Sequence, residues 1–224
     1  MRTTDKGIKC YYCGDVFGKV AIKRHLEKCK VREEKIQSGD EKYFWVQVQG
    51  YYQKEYCMYL DVSANAFLKD VDQFLRDKWL ECCGHLSMFR INDEIYESAP
   101  DSDPWFGRTK NMKVKLKDVL YEGLEFVHEY DFGSTTVLKL KVLSIHTGAK
   151  RKEKVVLMAR NLPPVFACVG CGKQATQLCS CCVYEEDAFY CDECGTEHGC
   201  GEDMMLPVAN PPKMGVCGYC GEDA

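Results

Sequence analysis

Apolar and polar positions follow two different periods along the middle of the chain. Aromatic and β-branched residues fill "YFWVQVQGYYQ" (43–53) and "YCMYLDV" (56–62), which predicts two strands. Between residues 63 and 84 the apolar positions recur at helical spacing, which predicts an amphipathic helix capped by Ser63 or Asn65 and ended by Gly84. Strict alternation returns in "TVLKLKVL" (136–143). The pattern predicts an α+β domain with one main helix on a mostly antiparallel sheet.

Polar and proline-containing stretches divide the chain into three predicted segments. The polar linker "VREEKIQSGDEK" (31–42) contains a Ser-Gly-Asp turn signal. The two prolines of "ARNLPPVFAC" (159–168) prevent a regular element from continuing there. We therefore predict a finger at 1–36, a central domain at 43–163 and a cysteine-rich module at 164–224. Both outer segments are too short to bury a sufficient core, so we expect zinc to stabilise each of them.

Charge is distributed unevenly between the two ends of the chain. Residues 1–36 carry ten Lys/Arg and five Asp/Glu, whereas residues 168–224 carry two Lys and ten Asp/Glu. The first residues, "MRTTDKGIKC", contain no apolar signal-peptide core, and no apolar run approaches the length of a membrane span. We therefore expect a cytoplasmic protein without a membrane partner. In that compartment thiols stay reduced, and a dense cysteine pattern usually binds metal.

The first segment has the ligand spacing of a small zinc finger. Two cysteines lie two residues apart, and a histidine and a third cysteine lie four apart, so the latter two share one face of a helix. The predicted ligands are Cys10, Cys13, His25 and Cys29. Basic residues crowd the predicted helix, and they suit phosphate contact or an acidic protein equally well. These residues are Lys19, Lys23, Arg24, Lys28 and Lys30.

The last segment contains four consecutive ligand pairs, which fit two tetrahedral ions in an interleaved arrangement. The first ion would take Cys168, Cys171, Cys191 and Cys194, and the second Cys179, Cys182, His198 and Cys200. This arrangement is similar to the cross-braced B-box and related fingers, which generally bind proteins. With the finger, the chain is expected to hold about three Zn²⁺ ions.

Several ligand assignments in this segment stay open from the sequence. Cys181 is an alternative to Cys182, and the further pair Cys217 and Cys220 could replace His198 and Cys200. An iron–sulfur cluster is a minority alternative to zinc. Disulfides are disfavoured by the compartment, and a redox-active pair by the closed sites.

The central segment resembles the pRiA4b-like family over roughly residues 43–160. The likeness is carried by "GHLSMFRI" (84–91), which follows the predicted helix, and by "LEFVHEYDFG" (124–133). In that family a helix leads into His-Leu-His-x-Phe, and Tyr-Asp-Phe-Gly is followed by Asp-Ser-Trp. Here Ser87 stands at the second histidine, and Ser134 follows Gly133. The resemblance implies an α+β fold and supplies no defined activity.

These observations favour a non-enzymatic zinc-binding adaptor. The basic finger would contact DNA, RNA or an acidic partner, and the acidic module would bind a protein. The alternative is an enzyme or small-ligand binder that uses the central domain. Its candidate residues are His85, His128, Glu129 and Asp131.

The cysteines outside the predicted sites have simpler interpretations. Cys82 and Cys83 are expected to pack in the core, because the negative end of the helix dipole at a C-terminus does not activate a thiol. His85 is likewise expected to be a core residue with a hydrogen-bond partner. Glu129 and Asp131 alternate along a predicted strand and should face one side of it. A redox or metal sensor would require labile thiols among Cys181, Cys217 and Cys220.

Overall fold

The computed structural model describes residues 7–100, 109–184 and 188–221, so the first six residues of the predicted finger lie outside it. The chain divides into two compact units. The sheet unit comprises Gly7–Arg76 and His85–Asn161. In the described chain, the cysteine-rich unit comprises Asp77–Gly84 and 162–221. The predicted module at 164–224 thus falls in the second unit, together with a short internal segment.

Ten strands form one sheet in the sheet unit. They are β1 (Ile8–Cys10), β2 (Val16–Phe17), β3 (Glu41–Gly50), β4 (Cys57–Ser63), β5 (Ser87–Ile91), β6 (Glu94–Glu97), β7 (Lys110–Asn111), β8 (Glu125–Tyr130), β9 (Thr136–Gly148) and β10 (Val155–Asn161). Their order is β2-β1-β10-β4-β3-β9-β8-β5-β6-β7. Every neighbouring pair is antiparallel except β6 and β7. The predicted class, mixed with a mostly antiparallel sheet, is confirmed.

Few helices accompany the sheet. They are α1 (Lys19–Lys28), α2 (Lys30–Lys35) and α3 (Leu68–Leu75), which continues as a π-helical turn over Arg76–Leu80. The predicted helix start at Ser63 or Asn65 is wrong, because Asp70 Oδ2 accepts the Phe67 backbone N–H at 2.8 Å and the helix begins after Phe67. Gly84 has the expected left-handed conformation, with φ +81°, but the helix has already ended at Leu80.

The predicted finger is part of the sheet unit rather than a separate domain. Strand β1 pairs antiparallel with β10, with Cys10 opposite Ala159. Both buried residues of α1, Ile22 and Leu26, belong to one hydrophobic cluster with residues of the sheet. Outside the predicted finger, the sheet residues of that cluster are Trp45, Cys57, Tyr59, Met158 and Ala159. A ten-residue helix with two buried side chains has little core of its own and completes it on the sheet.

The cysteine-rich unit has little regular structure. Its elements are β11 (Gln177–Cys179), β12 (Phe189–Tyr190), β13 (Met205–Pro207) and α4 (Asp192–Thr196). The three strands form a small antiparallel sheet with β11 in the centre. Across the described ranges of both units, no helix has the length and apolarity needed to cross a membrane.

Candidate metal centres

The four predicted finger ligands converge in the structure. They are Cys10, Cys13, His25 and Cys29, whose ligand atoms lie within 4.8 Å of one another. Cys10 ends β1, and the turn after it closes through the Gly14 N–H, which donates to the Cys10 carbonyl at 2.9 Å. Gly14 has φ +84°, so glycine suits this tight turn. Strand end, turn and helix therefore each bring ligands to one point.

Packing around the finger orients its histidine. The His25 ring stacks on Phe17 with a centroid distance of 3.8 Å, and His25 Nε2 lies 3.4 Å from Cys13 Sγ. Two of the cysteines are almost completely enclosed, with exposures of 0% for Cys10 and 3% for Cys29. An ion bound here would be shielded from solvent on its sheet-facing side, as in closed structural sites.

The first predicted site of the last segment also forms. Its four members are Cys168, Cys171, Cys191 and Cys194. The Cys171 and Cys191 sulfurs are 3.6 Å apart. A β-carbon on Gly170 would lie 2.9 Å from Cys194 Sγ, so only glycine fits inside this Cys-Val-Gly-Cys turn. The close approach of the two cysteine pairs thus depends on the absence of a side chain at Gly170.

Backbone amides favour the thiolate form at the first cysteine of two pairs. Burial alone would raise the pKa of Cys168, but hydrogen bonds from the backbone at Cys191, Cys171 and Gly170 lower that pKa to about 6. Burial likewise opposes ionisation of Cys179, whose pKa falls to about 7 because of the backbone at Cys182 and Cys181. Thiolates are the form that binds metal.

The second predicted site of this segment brings together one histidine and three cysteines. They are Cys179, Cys182, His198 and Cys200. Cys182 Sγ lies 3.5 Å from His198 Nε2 and 3.8 Å from Cys200 Sγ. The His198 ring packs on Tyr190, with a centroid distance of 4.4 Å. Of the alternatives that the sequence left open, the structure groups Cys182 and Cys200, not Cys181, Cys217 or Cys220, at this position.

The sulfur separations suit tetrahedral coordination. For metal–sulfur bonds of about 2.3 Å, the edges of a tetrahedron are about 3.8 Å, and a sulfur–nitrogen edge is about 3.6 Å. The separations above range from 3.4 to 3.8 Å. All three clusters could therefore accept a tetrahedral ion.

The sequence did not predict a fourth group of thiols. Cys82, Cys83 and Cys217 have their sulfur atoms within 4.8 Å of one another. The expectation that Cys82 and Cys83 pack in the core is wrong, because Cys83 is exposed and Cys82 only half-buried. Among the described residues, Cys57, Cys181 and Cys220 belong to none of the groups. The signal in the sequence is the adjacent pair Cys82 and Cys83, but the third thiol lies 134 residues after Cys83.

The five basic finger residues are all exposed. They are Lys19, Lys23, Arg24, Lys28 and Lys30. Four of them lie on α1, whose other face buries Ile22 and Leu26, and Lys30 begins α2. Arg32, by contrast, is buried, with its guanidinium 4.2 Å from the centre of the Trp45 ring. Helix α1 therefore presents a positively charged outer face.

The four central candidates do not form a single cluster among the described residues. His128 is fully buried, and its Nε2 lies 2.7 Å from Asp72 Oδ1. Glu129 accepts a hydrogen bond from Arg90 Nε at 2.8 Å. The expectation that Glu129 and Asp131 share a strand face is wrong, because β8 ends at Tyr130 and Asp131 is left-handed, with φ +65°.

The other two candidates have structural partners as well. The Asp131 side chain accepts the backbone N–H groups of Gly133 and Ser134 at 3.1 and 3.2 Å. His85 Nε2 lies 3.5 Å from Asp131 Oδ2. A cavity of about 430 Å³ is lined by eight residues that include Asp72 and none of the four candidates. These contacts fit a role of the four side chains in holding the sheet unit together.

Replacing His128 with alanine should destabilise the sheet unit by about 3 kcal/mol, because it leaves the buried Asp72 carboxylate with one fewer partner. Burial opposes the Asp72 charge, but the His128 hydrogen bond and the nearby Arg76 bring its pKa below the usual value. The ionised Asp72 side chain therefore stabilises the folded state fully above about pH 3.9, the pKa of an unfolded Asp. This contribution is lost as the pH falls through the lower pKa of Asp72 in the folded state.

Urea unfolding at neutral and acidic pH checks this expectation. Glu129→Gln is the matched control, because its partly exposed pair with Arg90 should contribute less than about 1 kcal/mol. Equal losses for both variants at neutral pH would contradict a buried structural role for His128.

Comparisons with known proteins add little to this geometry. No family model matches the chain, and no curated protein matches it. The chain is similar to a crystal structure of a protein of unknown function from Methanosarcina mazei Go1, with a TM-score of 0.45. The two are 17% identical, over 57% of this chain and 71% of the other. Function must therefore be argued from the sites themselves.

Proposed function

We propose that the chain is a zinc-binding adaptor whose basic helix face binds nucleic acid. The observation that carries this proposal is the orientation of α1. Its apolar side chains Ile22 and Leu26 are buried, while its basic side chains are exposed. A rigid helix with clustered Lys and Arg suits contact with a phosphate backbone.

Zinc is the metal that best fits the donor sets. Three cysteines with one histidine, and four cysteines, are the usual ligand sets of structural zinc. Both sets occur in the three predicted sites. Four protein ligands leave no vacant position for a substrate, so these ions would stabilise the fold rather than catalyse a reaction.

The cysteine-rich unit is proposed to bind a protein. Residues 168–224 carry two Lys and ten Asp/Glu. The negative charges of the thiolate ligands would balance those of the zinc ions, so the metal sites would add no net positive charge. This balance opposes direct contact with phosphate. The central α+β region would serve as the scaffold, in line with its resemblance to the pRiA4b-like family, and we place the whole protein in the cytoplasm.

The test is binding of the zinc-loaded chain to mixed DNA and RNA over a salt series. The double variant K23E/R24E should reduce the affinity for nucleic acid at least about tenfold, because both side chains are exposed on α1. The number of counterions released on binding, given by the slope of affinity against salt, should fall by about two. K117E/K152E, which changes two other exposed lysines and alters the net charge equally, is the matched control.

The outcomes separate the two partners that the basic face could have. Binding that depends steeply on salt and is weakened only in K23E/R24E would support nucleic acid as the partner of the basic face. Equal losses of affinity in both double variants would mean that only the net charge of the protein matters. If the wild-type chain does not bind nucleic acid at low salt, the proposal fails, and an acidic protein becomes the partner to seek.

A further inference from the structure

Two distant parts of the cysteine-rich unit meet at three thiols. Cys83 Sγ lies 3.7 Å from Cys82 Sγ and 3.7 Å from Cys217 Sγ. Both separations match the edge of about 3.8 Å expected for sulfurs around a tetrahedral ion. Cys83 and Cys217 are 134 residues apart in the sequence, so only the fold brings them together.

The loop that carries Cys217 is fixed by its neighbours. A β-carbon on Gly215 would lie 2.6 Å from a Leu178 methyl carbon, which shows how closely the loop packs on the unit. Tyr219, two residues after Cys217, is 2% exposed. The backbone of Cys217 is left-handed, with φ +53°, a conformation that residues other than glycine rarely adopt. The buried flanks thus hold an exposed thiol in a specific orientation.

The partner segment is anchored in the same way. Trp79 and Leu80 are fully buried immediately before the two cysteines. After them, the left-handed Gly84 donates its N–H to Glu81 Oε1 at 2.6 Å. Cys82 and Cys83 therefore project from a short turn that is closed on both sides.

We propose that Cys82, Cys83 and Cys217 form a fourth metal site, for Zn²⁺ or a similar thiophilic divalent cation. Three protein ligands leave the fourth tetrahedral position to a solvent molecule, as in open zinc sites. The site goes beyond the proposed function, because it involves neither the finger nor the two interleaved sites.

Of the four ions, the fourth should exchange most readily with metal in solution, because its ligands are the most exposed. Each of the other groups contains at least one almost fully enclosed cysteine, such as Cys10, Cys168 or Cys179. In the fourth group Cys83 and Cys217 are exposed and Cys82 is half-buried. Chelators and competing thiols can reach exposed sulfur directly. The ion ties the last part of the chain to the internal segment and releases it when free metal is scarce.

The first experiment counts ions on the full-length chain. We expect native mass spectrometry of the reduced, zinc-loaded protein to show four Zn²⁺ ions, and Cys217→Ser to show three. Cys220→Ser is the matched control, because Cys220 is exposed, lies three residues away and belongs to no group among the described residues. It should keep four ions. Three ions on the wild-type chain, or equal losses in both variants, would overturn the proposal.

Two further measurements do not depend on the folding of the Cys217 variant. In the Co²⁺-loaded wild-type chain, a chelator should remove one ion first, with a stepwise loss of thiolate-to-cobalt absorbance. Simultaneous release of all ions would contradict an exchangeable site. Cys83→Ser should weaken binding of the first-released ion at least tenfold and leave the other three unchanged; an unchanged affinity would overturn the ligand set. None of these readouts requires nucleic acid, so failure here and failure of the proposed function are distinguishable.

Discussion

Replacing Cys10 with serine should destabilise the whole ten-stranded sheet, not only the first 36 residues. Cys10 is both a ligand in the finger cluster and a residue of β1, which pairs with β10. Structural zinc contributes about 10–16 kcal/mol of apparent binding free energy in isolated fingers. Because Ile22 and Leu26 share one core with Trp45, loss of the ion should cost the sheet unit at least about 4 kcal/mol.

Hydrogen exchange and urea unfolding together measure this effect. In the Cys10→Ser variant, amides of β10 and β4 should exchange faster, and the midpoint of urea unfolding should fall. The matched control is Cys57→Ser, which places a hydroxyl in the same hydrophobic cluster without removing a ligand. Its cost should be about 1–2 kcal/mol. Faster exchange confined to residues 7–36 would instead establish the finger as an independent domain.

Replacing Cys191 with serine should unfold the small sheet of the cysteine-rich unit. Its strands are only two or three residues long, and among their own side chains only one large apolar side chain is fully buried. That side chain is Leu178 in β11. A core of this size is too small to offset the loss of backbone entropy, so we expect metal binding to supply most of the stability.

The measurement is hydrogen exchange of β11, β12 and β13 in the zinc-loaded protein. We expect protection at these amides to be lost in Cys191→Ser and in wild-type protein treated with a strong chelator. Cys181→Ser is the control, because Cys181 is exposed and lies outside every described group. Retained protection in Cys191→Ser would mean that the unit folds without this ion.

Local patterns in the sequence predicted much of the fold and of three clusters. Strands β3, β4 and β9 follow from runs of aromatic, β-branched or alternating residues. The finger ligands can be recognised because local structure sets the spacing within each pair. A turn separates Cys10 and Cys13 by three positions, and a helix separates His25 and Cys29 by four. Each of these inferences depends on residues that are close along the chain.

What the sequence did not predict depends on contacts between distant residues. Strand β1 is three residues long, too short for any periodicity to indicate that it pairs with β10. Cys217 lies in a Cys-x-x-Cys pair with Cys220, which predicts a shared site, but its sulfur lies 3.7 Å from that of Cys83 and Cys220 belongs to no group among the described residues. Helix α3 began later than expected because a carboxylate three residues inside it, that of Asp70, provides the cap.

The position of β1 also bears on self-association. In the sheet order, β1 pairs with the last three residues of β10, and β2, the terminal strand there, is only two residues long. Very short terminal strands offer little template for another chain. Without the finger, residues 159–161 would lose these pairs, and the free edge of β10 would extend over all seven residues of the strand. The first five of them, "VVLMA", are apolar and free of proline, so we expect loss of the finger fold to favour aggregation at this edge.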